Sequence, residues 1–288
     1  MLTRGWRFFG LTLLAALLHG EETMHPFSKL NVPEGKVGVH WFGQNSYAFR
    51  SPGGQTVMVD PYFPHQRPAE KFIHAQPPLD ERTLPIDVVY LTHDHSDHTH
   101  PETLGRIRAA WPRCVFVGTR ESAARLDKTG VAKEPFVTVA AGEMHEPEAP
   151  RDFVVHFVHA KPPAGDPERN IKPPDVAHLG LVLVCGPVRL YVTGDCIHSF
   201  AELDALVEPV RKLEPQIGFM TCHPTEGEFP FFDGCAKMVR RIGLKIAVPS
   251  HYRCFVKRDY DPREWAMAMQ DTGAATRILE YNAHAVLP

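Results

Sequence analysis

The chain has 288 residues, 43% hydrophobic and 23% charged, which is enough to bury a full core and is a size that suits one large α/β domain. A formal net charge of -3 gives no case for bulk binding to nucleic acid or to an anionic membrane surface, and any basic patch must be local. The compositional anomaly is the 17 histidines, because neutral imidazole is the commonest protein ligand for transition metals.

At the N-terminus, Arg4 and Arg7 precede an apolar run over residues 8–18, the pattern that begins a secretory signal. His19-Gly20-Glu21-Glu22 makes a poor cleavage site, and the run is too short to span a membrane. Met24 is an alternative start, so residues 1–23 are read as a signal-like or mis-started segment and 24–288 as a single domain. The expected location is the cytoplasm, with export as the alternative if residues 1–20 act as a signal peptide.

From residue 37 the pattern predicts strands over 37–42, 46–50 and 55–60, antiparallel neighbours with a turn at Ser51-Pro52-Gly53-Gly54. Residues 61–85 are proline-rich and weakly periodic, a surface excursion before a strand over 88–91. Helices are expected over 101–111 and 121–128, with strands over 114–117, 136–139 and 153–158. Residues 160–177 carry five prolines together with Lys161, Arg169 and Lys172, and form either an exposed loop or a lid over substrate. A hairpin over 179–185 and 188–193 delivers Gly194-Asp195 at its end. Helices over 201–213 and 235–242, a strand over 245–248, a helix over 262–269 and a strand over 277–279 complete the chain. The six cysteines are dispersed without a C-x-x-C pair and are expected to be buried free thiols.

The chemistry is concentrated in His93-Asp94-His95-Ser96-Asp97-His98, directly after a strand. Alternate residues of an extended stretch share a face, so His93 and His95 can grip one ion together. The chain then turns, and Asp97 with His98 can face a second ion. Nitrogen and carboxylate donors without cysteine suit zinc, manganese or iron, and argue against a closed structural zinc site.

This H-x-H-x-D-H run resembles the signature of the metallo-β-lactamase superfamily of hydrolases. Within it the chain is similar to the L-ascorbate-6-phosphate lactonase-like branch, through Trp41-Phe42-Gly43-Gln44-Asn45-Ser46, through Gly194-Asp195 and residues 196–199, and through Val248-Pro249-Ser250-His251-Tyr252. The likeness covers residues 37–255. It implies an α/β fold, a four-layer αββα sandwich of two mixed sheets flanked by helices. It also implies two divalent ions, the first held by His93, His95 and a strand-ending His159, with His156 on the same face as its competitor, the second by Asp97, His98 and His251, with Asp195 between them.

Asp97 and Asp195 are then the catalytic candidates, moving a proton while the ions activate a water. Asn45, Lys161, Arg169, His223 and Tyr252 are candidate substrate contacts, and Asp94 a support for the cluster. His198 is weighed with His223 as a supporting or substrate contact against a structural role, and His40, His65, His74, His100, His145, His178 and His284 are read as structural or solvent-facing. The expected reaction is hydrolysis of a small lactone or other ester, phosphorylated in one version, with a phosphodiesterase or phospholipase-type hydrolase as the alternative. A di-iron oxidoreductase is disfavoured by the lack of a flavin-binding region. A non-enzymatic metal-binding or RNA-binding regulator is the reading from another class. Homo-oligomer formation is left open.

Overall fold

The computed structural model describes residues 24–131 and 135–288. Two seven-stranded mixed sheets lie face to face. The first runs β14-β1-β2-β3-β4-β5-β6, where β1 is Val37–Trp41, β2 Tyr47–Arg50, β3 Thr56–Val59, β4 Val88–Tyr90, β5 Val115–Gly118, β6 Phe136–Thr138 and β14 Ala283–Leu287. The second runs β13-β12-β11-β10-β9-β8-β7, where β7 is Met144–His145, β8 Val154–His159, β9 Leu179–Cys185, β10 Val188–Val192, β11 Ile217–Thr221, β12 Ile246–Ser250 and β13 Ala275–Thr276. In each sheet the strands shift from antiparallel to parallel pairing part-way across, at β3 and at β10.

Side chains alternate across each strand and so sort into two layers. Val57, Val59, Val88 and Tyr90 enter the large core between the sheets, while Met58, Val89 and Leu91 enter the layer under the helices of the first sheet. Helix α1 (Pro101–Ala110) contributes Leu104 and Ile107 to that outer layer, and α2 (Arg120–Lys128) contributes Leu126. On the other side, α3 (Asp204–Lys212) and α4 (Phe232–Ile242) cover the second sheet. Cys235, Ala236, Val239 and Ile242 of α4 fall on one face at helical spacing. Gly243, at φ +86, ends α4 in the left-handed region that favours glycine. A short α5 (Pro262–Ala268) anchors Trp265 in the same core. This is the expected four-layer αββα order.

The chain differs from expectation in places. A 3-10 turn occupies Phe200–Glu202, so the helix expected from residue 201 starts at Asp204. No strand forms over 277–279; the last strands are β13 and β14, and β14 pairs antiparallel with β1 at the edge of the first sheet. An edge strand faces solvent in part, so β14 carries little of the apolar pattern that marks a core strand. All six cysteines are buried and free. Among the described residues no helix is long and apolar enough to cross a membrane, and the segment 1–23 lies outside them.

Candidate metal centre

Strand direction explains where the centre forms. The C-terminal ends of β4, β10 and β12 deliver His93, Asp195 and His251. Strand β9 runs antiparallel to β10, so its beginning, next to His178, lies at that same edge. After β4, the 93–99 segment closes into a tight turn. The amides of His98 and Thr99 both donate to the carbonyl of His95, and Thr99 Oγ1 donates to the carbonyl of His93. His100 then caps α1 through its ring.

Three donor sets converge, each with its ligand atoms within 4.8 Å of one another: His93, His95 and His178; His93, His98 and Asp195; and Asp97, His98 and His251. Asp195 links them, with Oδ2 3.6 Å from His93 Nε2 and Oδ1 3.3 Å and 3.2 Å from His98 and His251 Nε2. Burial acts to raise the Asp195 pKa, but the His98 and His251 rings outweigh it and hold the carboxyl well below the usual range. Burial acts the other way on His98, and the Asp195, Asp60 and Asp97 carboxylates overcome it, raising that ring well above an ordinary histidine. His93 is pushed well below by burial with His98 adding to it. His178 is pushed down to about 3 by burial with Lys161 adding to it.

The residues present fit a bound cation. Among the described residues His93 Nε2 and both ring nitrogens of His178 are buried polar atoms with no hydrogen-bond partner, an expensive arrangement unless the lone pairs serve a metal. Neutral imidazoles and carboxylates in this mixture suit first-row divalent ions.

A surrounding shell aims the donors. Asp60, fully buried, accepts from Thr92 N and Oγ1 at 2.8 and 2.6 Å and from Asn45 Nδ2 at 2.7 Å, and lies 2.7 Å from His98 Nδ1. That carboxylate turns His98 Nε2 toward the centre. Asp94 is tied to Arg125, and His95 Nε2 meets Asp175 at 2.9 Å. Gln44, Asp60 and His251 all adopt positive φ (51°, 43° and 68°), an uncommon conformation for such residues that gathers here at the site.

Several expectations need correction. His159 joins none of the three donor sets; it pairs with Leu179 across β8 and β9, one strand farther from Asp195, and His178 stands in the place expected for it. Asn45 is completely buried and holds Asp60 and Ser250, so it supports the site rather than meeting substrate. Tyr252 packs between Trp41 and Tyr260, with ring centroids at 4.6 and 4.7 Å. Arg169 pairs with Asp166 at 2.7 Å on the exposed part of its loop. His223 accepts from the amides of Thr225 and Glu226, and Lys161 Nζ meets Glu228 at 3.1 Å at the margin of the centre.

The open side of the site has its own residues. A cavity of about 410 Å³ is lined by His95, Asp97, Arg125, Asp195, Glu228 and Arg258. A second, of about 500 Å³, meets it at Ser96, Asp97 and Arg258, and adds Tyr62, Glu70, Lys71, Phe255 and Lys257. Arg125, Glu228, Arg258, Tyr62, Lys71, Phe255 and Lys257 of these mouths, and Asp60 and the site role of Gln44 and His178, escape a reading of the sequence. Only Asp60 carries a local signal, a carboxylate directly after an apolar strand, which is also what marks Asp195.

Comparison with known proteins agrees with this architecture. The model of the beta-lactamase superfamily domain matches residues 55–252. The chain belongs to the beta-lactamase superfamily, with the metallo-β-lactamase fold. Among its relatives is a UPF0173 metal-dependent hydrolase of Myxococcus xanthus, 27% identical over 227 residues that span 77% of this chain and 72% of the relative. Another from Cupriavidus taiwanensis is 24% identical, spanning 95% and 96%. Among solved structures, a metallo hydrolase of the archaeon Ignicoccus hospitalis shares the fold with a TM-score of 0.67 at 17% identity, covering 88% of this chain and 99% of that one. An isothiocyanate hydrolase from Delia radicum gut bacteria does so with a TM-score of 0.66 at 13% identity, covering 86% and 98%.

Proposed function

We propose that this metal-dependent hydrolase of the beta-lactamase superfamily holds two divalent ions, zinc or manganese with iron as the alternative, and opens a lactone or other ester that carries an anionic group. The observation that supports the reading is the position of Asp195, one carboxylate between His93 on one side and His98 with His251 on the other. His93, His95 and His178 hold one ion, and Asp97, His98 and His251 the other. Ions bound there lower the pKa of a water toward neutrality and polarise the oxygen under attack.

The remaining work falls to the chain's own groups. Asp60 fixes the His98 ring, so that its Nε2 need not reorient during turnover. Asp97, which reaches both cavities, is placed to take a proton from the attacking water and return it to the leaving oxygen. Lys71 and Lys257 line the second mouth and orient a negatively charged substrate, with Arg125 held by Asp94 and Arg258 by Glu226 and Glu228 at its margin, while Tyr62 and Phe255 offer an apolar wall. The same four cations favour phosphodiester or phospholipid-type esters as the second reading.

The test is a panel of neutral lactones, phosphorylated lactones, phosphodiesters and phospholipids, assayed with zinc and with manganese. Phosphorylated lactones are expected to turn over, and Asp97→Asn to lower kcat/KM by about 100-fold or more. Turnover of phosphodiesters alone rejects the lactone reading. Metal retention without turnover of any ester favours a binding protein.

A further inference from the structure

The two donor sets are not equivalent, and the difference is Gln44. Its carboxamide nitrogen lies 3.0 Å from Asp97 Oδ2, 3.1 Å from His98 Nε2 and 3.0 Å from His251 Nε2, which are the three donors of the second set. The other end of the same group is fixed: Oε1 accepts from the amide of Asn45 at 2.6 Å. That contact sets the orientation of the carboxamide. Turned over, the group would set an NH2 against the Asn45 N–H and oxygen lone pairs against Asp97 and two imidazoles. The backbone of Gln44 is held as firmly, with N donating to Tyr252 O at 2.8 Å and O accepting from His251 N at 3.1 Å and from Trp41 Nε1 at 3.1 Å. The side chain is buried.

An NH2 has two protons to give and no lone pair to offer a metal. Its nitrogen sits between Asp97 Oδ2, His98 Nε2 and His251 Nε2 and its two protons engage two of them at a time, so a cation drawing on these three donors must displace it. In the first set the facing side chain is Asp175, 2.9 Å from His95 Nε2, a carboxylate that brings lone pairs and negative charge to a cation rather than protons, and among the described residues His93 Nε2 and both nitrogens of His178 stand without a hydrogen-bond partner.

The geometry points to Gln44 as a displaceable plug of the second metal position, so that the centre loads in order: the His93, His95 and His178 set first, and the second set only when the Gln44 side chain withdraws. This rests on the two-ion reading above. Gln44 is a positioning residue here, and its readout is metal affinity rather than turnover. The plug makes the working number of ions depend on metal supply, and it offers a substrate that draws Gln44 aside a way to complete the centre.

The test is equilibrium dialysis of the metal-free full chain against manganese, and separately against zinc. Wild type is expected to bind the second ion at least about 30-fold more weakly than the first, and Gln44→Ala to tighten the second by about tenfold or more without changing the first. Because Ala is strained at φ 51, Gln44→Asn is the second variant: Asn tolerates that conformation and its amide is too short to keep the contacts, so it should behave alike. Adding Asp97→Ala to Gln44→Ala should abolish the gain. Equal affinity for both ions in wild type and both variants overturns the plug while the two-ion reading stands. A weaker second ion in the variants overturns it by making Gln44 a ligand through its oxygen. One ion in every chain overturns the plug and the two-ion centre together, and no ion in any chain overturns metal dependence as well.

Discussion

His159 and His178 end neighbouring strands at one edge of one sheet, and a single strand spacing separates their fates. His159 pairs with Leu179, the residue after His178, but β9 lies next to β10 and its Asp195 whereas β8 lies beyond it. Strands are about 4.8 Å apart, so the histidine nearer to Asp195 reaches the centre and the farther one does not. His178→Ala is therefore expected to lower kcat/KM by at least about 100-fold and to lose an ion, while His159→Ala stays within about threefold of wild type. Metal analysis and steady-state kinetics on the pair of variants check this. The sequence could not separate the two, because each adjoins an apolar strand and strand order is not written locally. By contrast His93, His95, Asp97 and His98 are legible because one short turn carries them all. Asp195 and His251 are legible as polar residues that end apolar strands. Gln44 stands in a stretch that carries the family resemblance, but nothing in that stretch announces its three partners up to 207 positions away.

At the scale of elements, the strand ends depend on a few backbone positions. Gly194 sits between β10 and Asp195 at φ +57, and a Cβ added there would lie 2.5 Å from the carbonyl oxygen of Leu179 and 3.2 Å from Thr92 Cβ. Gly194→Ala thus combines left-handed strain with a collision against the strand that carries His178. The expected cost is roughly 2 kcal/mol or more, with a loss of metal binding. Gly243→Ala is the comparison, since it shares the positive φ at 86° with open space around its Cβ; its cost should be about 1 kcal/mol with metal binding intact. Urea unfolding of both variants measures the difference. If the two lose equal stability, the contact with Leu179 is not what fixes this corner. The elements that the sequence predicts well are those with a clean period: β1 to β4, β9, β10 and α4. Strands β13 and β14 were not legible, because both lie at sheet edges where solvent on one side relaxes the pattern.

For the whole molecule, the layered pattern of strands and helices permits several α/β arrangements, and it is the H-x-H-x-D-H run that selects the four-layer sandwich. The first sheet also carries an acid-sensitive feature away from the centre. His40 in β1 is buried, with Nε2 2.9 Å from Asn282 Oδ1 and the rings of His25 and His284 at 4.8 and 6.0 Å. Burial pushes His40 down to about 4; the Asn282 hydrogen bond opposes this, and His25 and His284 add to it. The folded value lies below the unfolded 6.5, so the unfolded chain takes up the proton first as pH falls. The stability that neutral His40 contributes is complete above about pH 6.5 and lost progressively down to about pH 4. Between about pH 7 and pH 5, wild type is expected to lose roughly 2 kcal/mol more than His40→Phe, read from denaturant unfolding at each pH. Parallel curves for the two proteins contradict it.

The central claim is that one carboxylate joins two metal positions built from the ends of strands in both sheets. Anomalous diffraction from crystals saturated with zinc or manganese tests it most directly. The predicted result is two peaks about 3.5–4 Å apart, one within bonding distance of His93, His95 and His178, the other within bonding distance of Asp97, His98 and His251, with Asp195 between them. A single peak at saturating metal, or a peak bonded to His159 in place of His178, contradicts the account.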